Sequence, residues 1–258
     1  MIHTGRNRYK THGGIPHGSI VKRMNGNNTL QLCLMWKEGV ADIEEPEGVQ
    51  WNDQSGQDRH AQTPEGAGKA ATDADGSLDF EAGESVALQF IEEPGEARVI
   101  AKYGFAFWIV CTLESTGANN TIFGLNNTDH NLEFKASADA VRVKLDSTLT
   151  QVNPGDGTQN DFSSGTKFLL TFERETGNTG NINLWKNGGL LAQDSQASNN
   201  GEAEFLTIGV RNGDRYFDGK IYDIVVLGST DASTGLLDDS ITRINNYLCA
   251  KHGIEIIN

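Results

Sequence analysis

Carboxylates spaced two residues apart ahead of a glycine are the oxygen ligands that a hard cation takes, and Asp73, Asp75 and Asp79 stand in such a run, Asp73-Ala74-Asp75-Gly76-Ser77-Leu78-Asp79. The chemistry they suit is calcium binding, with Asp53 and Asp58 near them in sequence. Residue 84 is Glu, but no helical pattern flanks the segment, so an EF-hand is not expected. The plain alternative is a polar Asp-Gly turn. A second chemistry belongs to amides and carboxylates beside an aromatic ring, which together hold hydroxyl-rich ligands such as sugars. The Asn-rich turns at 119–120, 126–127 and 211–214 put forward Asn126, Asn127, Asn212 and Asp214, and Trp185 is the only tryptophan next to an Asn-Gly turn. As a strand residue, Trp185 equally suits the core.

A third group is defined by charge. Residues 1–28 carry Arg6, Arg8, Lys10, Lys22 and Arg23, three histidines and no acid, whereas the remaining 230 residues hold 16 bases against 35 acids, a split of +5 against −19. A basic arm on an acidic body seeks an acidic surface on its own body, on a neighbouring copy or on another component. With few apolar side chains, residues 1–28 cannot fold alone, so these five bases are expected to anchor them to a partner. Nucleic acid is not the expected partner, because a body of −19 repels phosphate.

The elements that position these residues read as strands. A chain of 258 residues fits one large all-β domain, able to bury about 70–75% of its unfolded surface. Asn-Gly at 25–26, 187–188 and 212–213 and Asp-Gly at 75–76, 156–157 and 218–219 supply turns. Phe168, Leu170 and Phe172 share one face of a strand, as do Val141, Val143 and Leu145 against Arg142, Lys144 and Asp146. Phe105 to Val110 is apolar on both faces, which predicts an inner strand covered by the other sheet on one side and by a loop or the end helix on the other. That helix is expected over 236–252, from Leu237, Ile241, Ile244 and Leu248 at helical spacing, with Lys251 and His252 in its last turn and Gly253 as its stop. His252 reads as a solvated helix-end residue.

Cys33, Cys111 and Cys249 each sit in an apolar run or the helix, so three buried thiols and no disulfide framework are expected. Residues 1–10 show no apolar leader and no run is long enough to span a membrane, which predicts a protein made in a cytoplasm.

From Phe205 to Leu227, an apolar strand ending in Ile208-Gly209, the polar turn Arg211-Asn212-Gly213-Asp214-Arg215, then Phe217-Asp218-Gly219 and a second apolar strand resemble the closing hairpin of laminin-G-like, concanavalin A-like β-sandwich modules. Trp51-Asn52-Asp53-Gln54-Ser55-Gly56 with Arg59-His60-Ala61 is similar to the opening segment of such modules in phage and marine bacterial proteins. Leu78-Asp79-Phe80, Phe105 to Val110, Trp185-Lys186-Asn187-Gly188 and Tyr247 to Ile254 resemble further members of the same series, in the same order. The resemblance implies an all-β fold: a concanavalin A-like jelly-roll sandwich over 29–258, including the C-terminal helix, with an extended basic N-terminal arm over 1–28.

Glucanases of this fold carry E-x-D-x-x-E or E-x-D-x-E on a catalytic strand. Here Asp42-Ile43-Glu44-Glu45-Pro46-Glu47 lacks the leading Glu and has a strand-interrupting proline, and Glu92-Glu93-Pro94-Gly95-Glu96 reads as a turn. No enzyme is expected. The resemblance and the charge split together predict a structural or decorating component of a phage particle, on head, tail or baseplate, bound through the arm to other virion proteins or to copies of itself and touching host glycans. The alternative is a free lectin-like carbohydrate-binding module.

Overall fold

A computed structural model of the chain describes residues 28–35, 49–57, 59–90, 98–115, 119–125, 131–135, 140–145, 148–152, 162, 164–175, 181–195, 202–229, 231, 233, 235–236 and 238–257. The arm bases Arg6, Arg8, Lys10, Lys22 and Arg23, the acidic runs 42–47 and 92–96, and Asn126 with Asn127 lie outside the described residues.

Two eight-stranded sheets, with strands numbered in chain order, form the body. The first runs β15 (Gly189–Ser195), β14 (Asn181–Lys186), β13 (Phe168–Arg174), β8 (Phe105–Leu113), β18 (Gly219–Ser229), β5 (Leu78–Phe80) and β4 (Ala71–Thr72), and β1 (Asn28–Met35) also pairs with β18. The second runs β12 (Thr148–Val152), β11 (Ala140–Leu145), β10 (Asn131–Lys135), β9 (Asn120–Gly124), β17 (Thr207–Ile208), β6 (Leu88–Phe90), β3 (Ala61–Gln62) and β2 (Gln50–Trp51). A ribbon of β7 (Arg98–Ala101) and β16 (Ala203–Phe205) completes an all-β sandwich, to which one helix, α1 (Asp238–His252), is added.

Side-chain alternation assigns the layers. Phe105, Phe107, Ile109, Cys111 and Leu113 of β8 join Phe168, Leu170 and Phe172 of β13 and Val141, Val143 and Leu145 of β11 in the core between the sheets. The intervening Ala106, Trp108 and Val110 pack with Leu169, Val225, Ile241, Ile244 and Leu248 in a second core under α1. Strand β8 is therefore covered by the other sheet and by the end helix. All three cysteines are free and buried, and burial pushes the Cys33 thiol up to about 12. Among the described residues no helix is long and apolar enough to cross a membrane.

The helix begins at Asp238, two residues inside the expected span, while Leu236 ahead of it is already buried in the second core. Its end follows the glycine rule: Gly253 has φ 65°, the Ile254 N–H donates to Cys249 O at 2.8 Å, and Ile254 packs back on the second core. His252 is not solvated. A register shift between Ile221 and Asp223 in β18 turns both Tyr222 and Asp223 toward the helix. The fully buried Asp223 carboxylate then takes Lys251 Nζ at 2.7 Å and lies 2.6 Å from His252 Nε2.

The expected closing hairpin is a crossover instead. Strand β17 pairs with β6 and β9 in the second sheet, whereas β18 pairs with β8, β5 and β1 in the first. The polar turn therefore carries the chain from one sheet to the other. The Phe217-Asp218-Gly219 sequence closes that crossing: Phe217 is fully buried, the Asp218 N–H donates to Asn120 Oδ1 at 2.8 Å, and Gly219 has φ 143° with the Thr112 carbonyl where a Cβ would stand. Asn120, expected in an Asn-rich turn, instead opens β9 as a structural residue.

The Trp51-to-Gly56 segment is also a structural clasp. The Asp53 carboxylate accepts the N–H groups of Cys33, Ser55 and Arg59 at 2.9, 2.9 and 3.1 Å and the Ser55 hydroxyl at 2.6 Å, tying this loop to β1.

Candidate functional site

Strand alternation gives the second sheet a polar outer face. Leu132 and Phe134 of β10 and Val141 and Val143 of β11 point into the core, so Asn131, Glu133, Lys135, Arg142 and Lys144 stand on the opposite side. One register row crosses the sheet through Gln50, Gln62, Gln89, Thr207, Gly124, Asn131 and Lys144. Neighbours in that row are about 4.8 Å apart. Three glutamines and a threonine thus lead across the face toward a cationic end.

The crossover segment builds a ridge over this row. No side chain fits at Gly124, because the Val210 carbonyl and Arg211 Cα lie over it. Asn212 and Gly213, at φ 50° and 69°, turn the chain so that Arg211 and Asp214 face each other across an isolated bridge. The Asn212 N–H donates to Leu125 O at 3.0 Å. Of the residues expected to bind sugar, Asn212 and Asp214 therefore lie on this ridge, next in space to Leu125, which directly precedes Asn126 and Asn127 in sequence. Trp185 is elsewhere: it pairs with Thr171, whose hydroxyl bonds to Asn245 of α1, and so stands on the outer face of the first sheet.

Beneath the ridge, Arg215 is held at φ 53°, a backbone region sparsely used by non-glycine residues, and its Nη1 donates to Glu133 Oε1 at 2.9 Å and Oε2 at 3.1 Å. Arg142 Nη1 donates to the same Oε1 at 3.1 Å, and Arg211 Nη1 lies 3.9 Å from Oε2. Glu133 is fully buried. One carboxylate thus faces three guanidinium groups, with Asp214 adding a contact to Arg211 at 3.5 Å. The surplus positive charge is felt by Lys135, whose pKa is lowered first by burial and then by Arg142. Unpartnered buried polar atoms surround the cluster: Thr121 Oγ1, Asn131 Oδ1 and Nδ2, and the Nε atoms of Arg142 and Arg211. In sequence, Arg142 and Lys144 are the polar half of an alternating strand and Arg211 and Arg215 the polar part of a turn, so their convergence is a tertiary fact. The one local signal was Glu133, a charge between the core residues Leu132 and Phe134.

The Asp73-to-Asp79 run is a turn at the edge of the first sheet. The Asp73 carboxylate pairs with Lys220, and Asp75 Oδ1 accepts the Ser77 hydroxyl at 2.7 Å and the Ser77 N–H at 3.2 Å. Burial is the largest single influence on the Asp75 carboxyl and raises its pKa, but the Ser77 hydrogen bonds together with Lys167 and Lys220 outweigh it and hold the group below its ordinary value. Asp79 Oδ2 lies 3.6 Å from the same Lys220 Nζ, and the Asp79 carboxylate also approaches Glu81 and Glu114, with one carboxylate oxygen of each within 4.8 Å of the others. Asp79 Oδ1 is buried without a partner, and the Glu114 pKa is raised by burial, then by Asp79 and Glu81. Among the described residues, these three carboxylates lie close enough together to share one cation.

No protein-family model and no curated protein matches the sequence. Solved structures do match in fold. Domain 4 of AbnA, a GH43 extracellular arabinanase from Geobacillus stearothermophilus, in complex with arabinotriose, aligns with a TM-score of 0.54 at 13% identity, covering 85% of this chain and 99% of that one. The binding domain of botulinum neurotoxin DC in complex with rat synaptotagmin II aligns at 0.55 and 16% identity, covering 85% of this chain and 52% of that one. Botulinum neurotoxin type C, whose cell entry depends on interaction with two ganglioside molecules, aligns at 0.52 and 15%, covering 88% and 53%. The chain spans about half the length of these neurotoxin chains. At such identities the likeness is one of fold.

Proposed function

We propose that the chain is a non-catalytic glycan-binding β-sandwich whose binding face is the polar outer side of the second sheet. The observation that carries this reading is the row Gln50, Gln62 and Gln89, side-chain amides in register on one sheet face, which continues through the buried Thr207 to Asn131 beside the Asn212–Asp214 turn. Such groups both donate and accept, as sugar hydroxyls require. The sugar- and ganglioside-linked proteins of similar fold are consistent with it. Catalysis is not part of the proposal; Glu133, the buried acid of this face, accepts hydrogen bonds from Arg142 and Arg215. A broad glycan array probed with the purified chain tests it. Retention of a glycan above a control protein, weakened by Gln89→Ala, is expected; an array with nothing retained overturns the reading.

The finer proposal places this sandwich on a phage particle, anchored by residues 1–28 to other virion proteins or to copies of itself. Its support is the +5 against −19 charge split and the sequence resemblance at Trp51 to Gly56. Calcium is proposed as an accessory ligand of Asp79, Glu81 and Glu114, where it would neutralise three crowded carboxylates and fix the edge of the first sheet.

A further inference from the structure

The body of this protein is strongly acidic, yet five of the 16 bases beyond residue 28 gather on one sheet face: Lys135, Arg142, Lys144, Arg211 and Arg215. A cluster of guanidinium groups serving only a buried carboxylate would be complete with one or two arginines. Here three converge on Glu133, and the Nε atoms of two of them, Arg142 and Arg211, remain buried without partners. Asn131, 1% exposed, has both amide atoms unpartnered beside them, and Thr121 its hydroxyl. Five bases against the two carboxylates of Glu133 and Asp214 leave this spot with a surplus of positive charge, which suits a ligand that carries an anionic oxygen pair.

Resting on the glycan-binding reading above, we infer that this face selects acidic saccharides, with the partly exposed Arg142, Arg215 and Lys135 directed at a sugar carboxylate or sulfate and the buried Arg211, Asn131 and Thr121 packed beneath them. Arginine suits the role because its planar fork matches a carboxylate in two parallel hydrogen bonds. Glu133 sets the strength: by neutralising part of the cluster, it keeps the three guanidinium groups folded together without an ion bound. The body as a whole, at −19 beyond residue 28, repels long polyanions and so favours a short acidic segment held at this one basic spot. A duplex nucleic acid is disfavoured for the same reason.

The test uses the full chain and a panel of acidic oligosaccharides (oligogalacturonate, oligoguluronate, sialylated and sulfated oligomers) beside neutral oligomers of galactose, mannose, arabinose and xylose, with a DNA duplex as a third arm. Retention of at least one acidic oligomer is expected, ten-fold or more tighter than its neutral counterpart and weakening as salt rises. Arg142→Gln should lose ten-fold or more of that affinity, and Lys135→Gln, which leaves the contacts of Glu133 intact, should lose a smaller factor. Arg243→Gln, the same charge change on the far face of α1, should lose nothing. Glu133→Gln should bind the acidic oligomer more tightly if it folds. Retention of neutral oligomers alone, or equal retention that Arg142→Gln and Lys135→Gln leave unchanged, overturns the inference and leaves the glycan-binding reading standing. DNA bound as tightly as the acidic oligomers overturns it in favour of unselective charge. An array with no glycan retained overturns both.

Discussion

Glu133 shows how one residue can hold a binding face in shape. A carboxylate with no exposed surface is tolerable only when its charge is met, and here Arg142 and Arg215 meet it through hydrogen bonds of 2.9–3.1 Å from two different elements, β11 and the crossover. Glu133→Ala leaves three crowded guanidinium groups without their common partner, so it should cost about 3–5 kcal/mol in urea unfolding, the range for breaking a buried pair from one side. A loss below about 1 kcal/mol would mean that water already screens the cluster. Glu114 presents the opposite case. Its pKa is raised in the folded state, so the fold favours its protonated form and loses stability as pH rises through that raised value. Glu114→Gln should therefore melt at a higher temperature than wild type near neutral pH in chelator, with the advantage fading below pH about 4, where the unfolded carboxyl is itself protonated. If calcium binds there, adding it should raise the melting temperature of wild type and not of Glu114→Gln. Equal curves for both proteins, with and without calcium, would reject both the repulsion and the ion.

Element α1 is attached by polar as well as apolar contacts. Ile241, Ile244 and Leu248 bury one stripe, while Asn245 between them accepts the Trp108 indole N–H at 2.9 Å and the Thr171 hydroxyl at 2.8 Å. Asn245→Leu supplies apolar volume but orphans two buried donors, so thermal or urea unfolding should show a loss of about 1–3 kcal/mol for each. A neutral result would mean that the helix can shift to let water reach them. The stripe itself was legible in the sequence because a 3.6-residue period is a local property. So was the inner strand β8, whose apolar residues on both faces can be satisfied only by two covers. Pairing partners were not legible. Phe205 to Leu227 has the local form of a hairpin, yet the short β17 and the long β18 belong to different sheets, because alternation specifies which side a residue faces and not which neighbour its backbone meets. The same limit hid the site: Arg142 and Arg211 are 69 positions apart in sequence and meet only when the crossover folds over Gly124. The burial of His252 is hidden for a like reason, since the bulge that brings Asp223 beneath it leaves no mark on the helix's own sequence.

At the scale of the whole molecule, the first sheet divides the chain's N-terminal part into two functional lengths. Strand β1 begins at Asn28, pairs with β18 and buries Leu30, Cys33, Leu34 and Met35, so it belongs to the body. Residues before it hold the +5 charge and little apolar surface, and they add little that a sandwich core could use. Two truncations should separate the roles. Removing residues 1–27 should leave the melting temperature nearly unchanged, because exposed ion pairs contribute about 0–1 kcal/mol each to a fold. Removing residues 1–35 deletes a strand of the first sheet, leaves an edge of β18 unpaired, takes Leu30, Cys33, Leu34 and Met35 out of the cores and should abolish cooperative unfolding or solubility. The informative comparison is in assembly: if the five bases Arg6, Arg8, Lys10, Lys22 and Arg23 anchor the protein, the 1–27 truncation should stay folded and still bind glycan, yet fail to co-sediment with particles or to self-associate, and high salt should reproduce that failure in the intact chain. A truncated protein that is incorporated as well as wild type would remove the support for an anchoring arm and for the particle proposal, leaving the glycan-binding sandwich to stand alone.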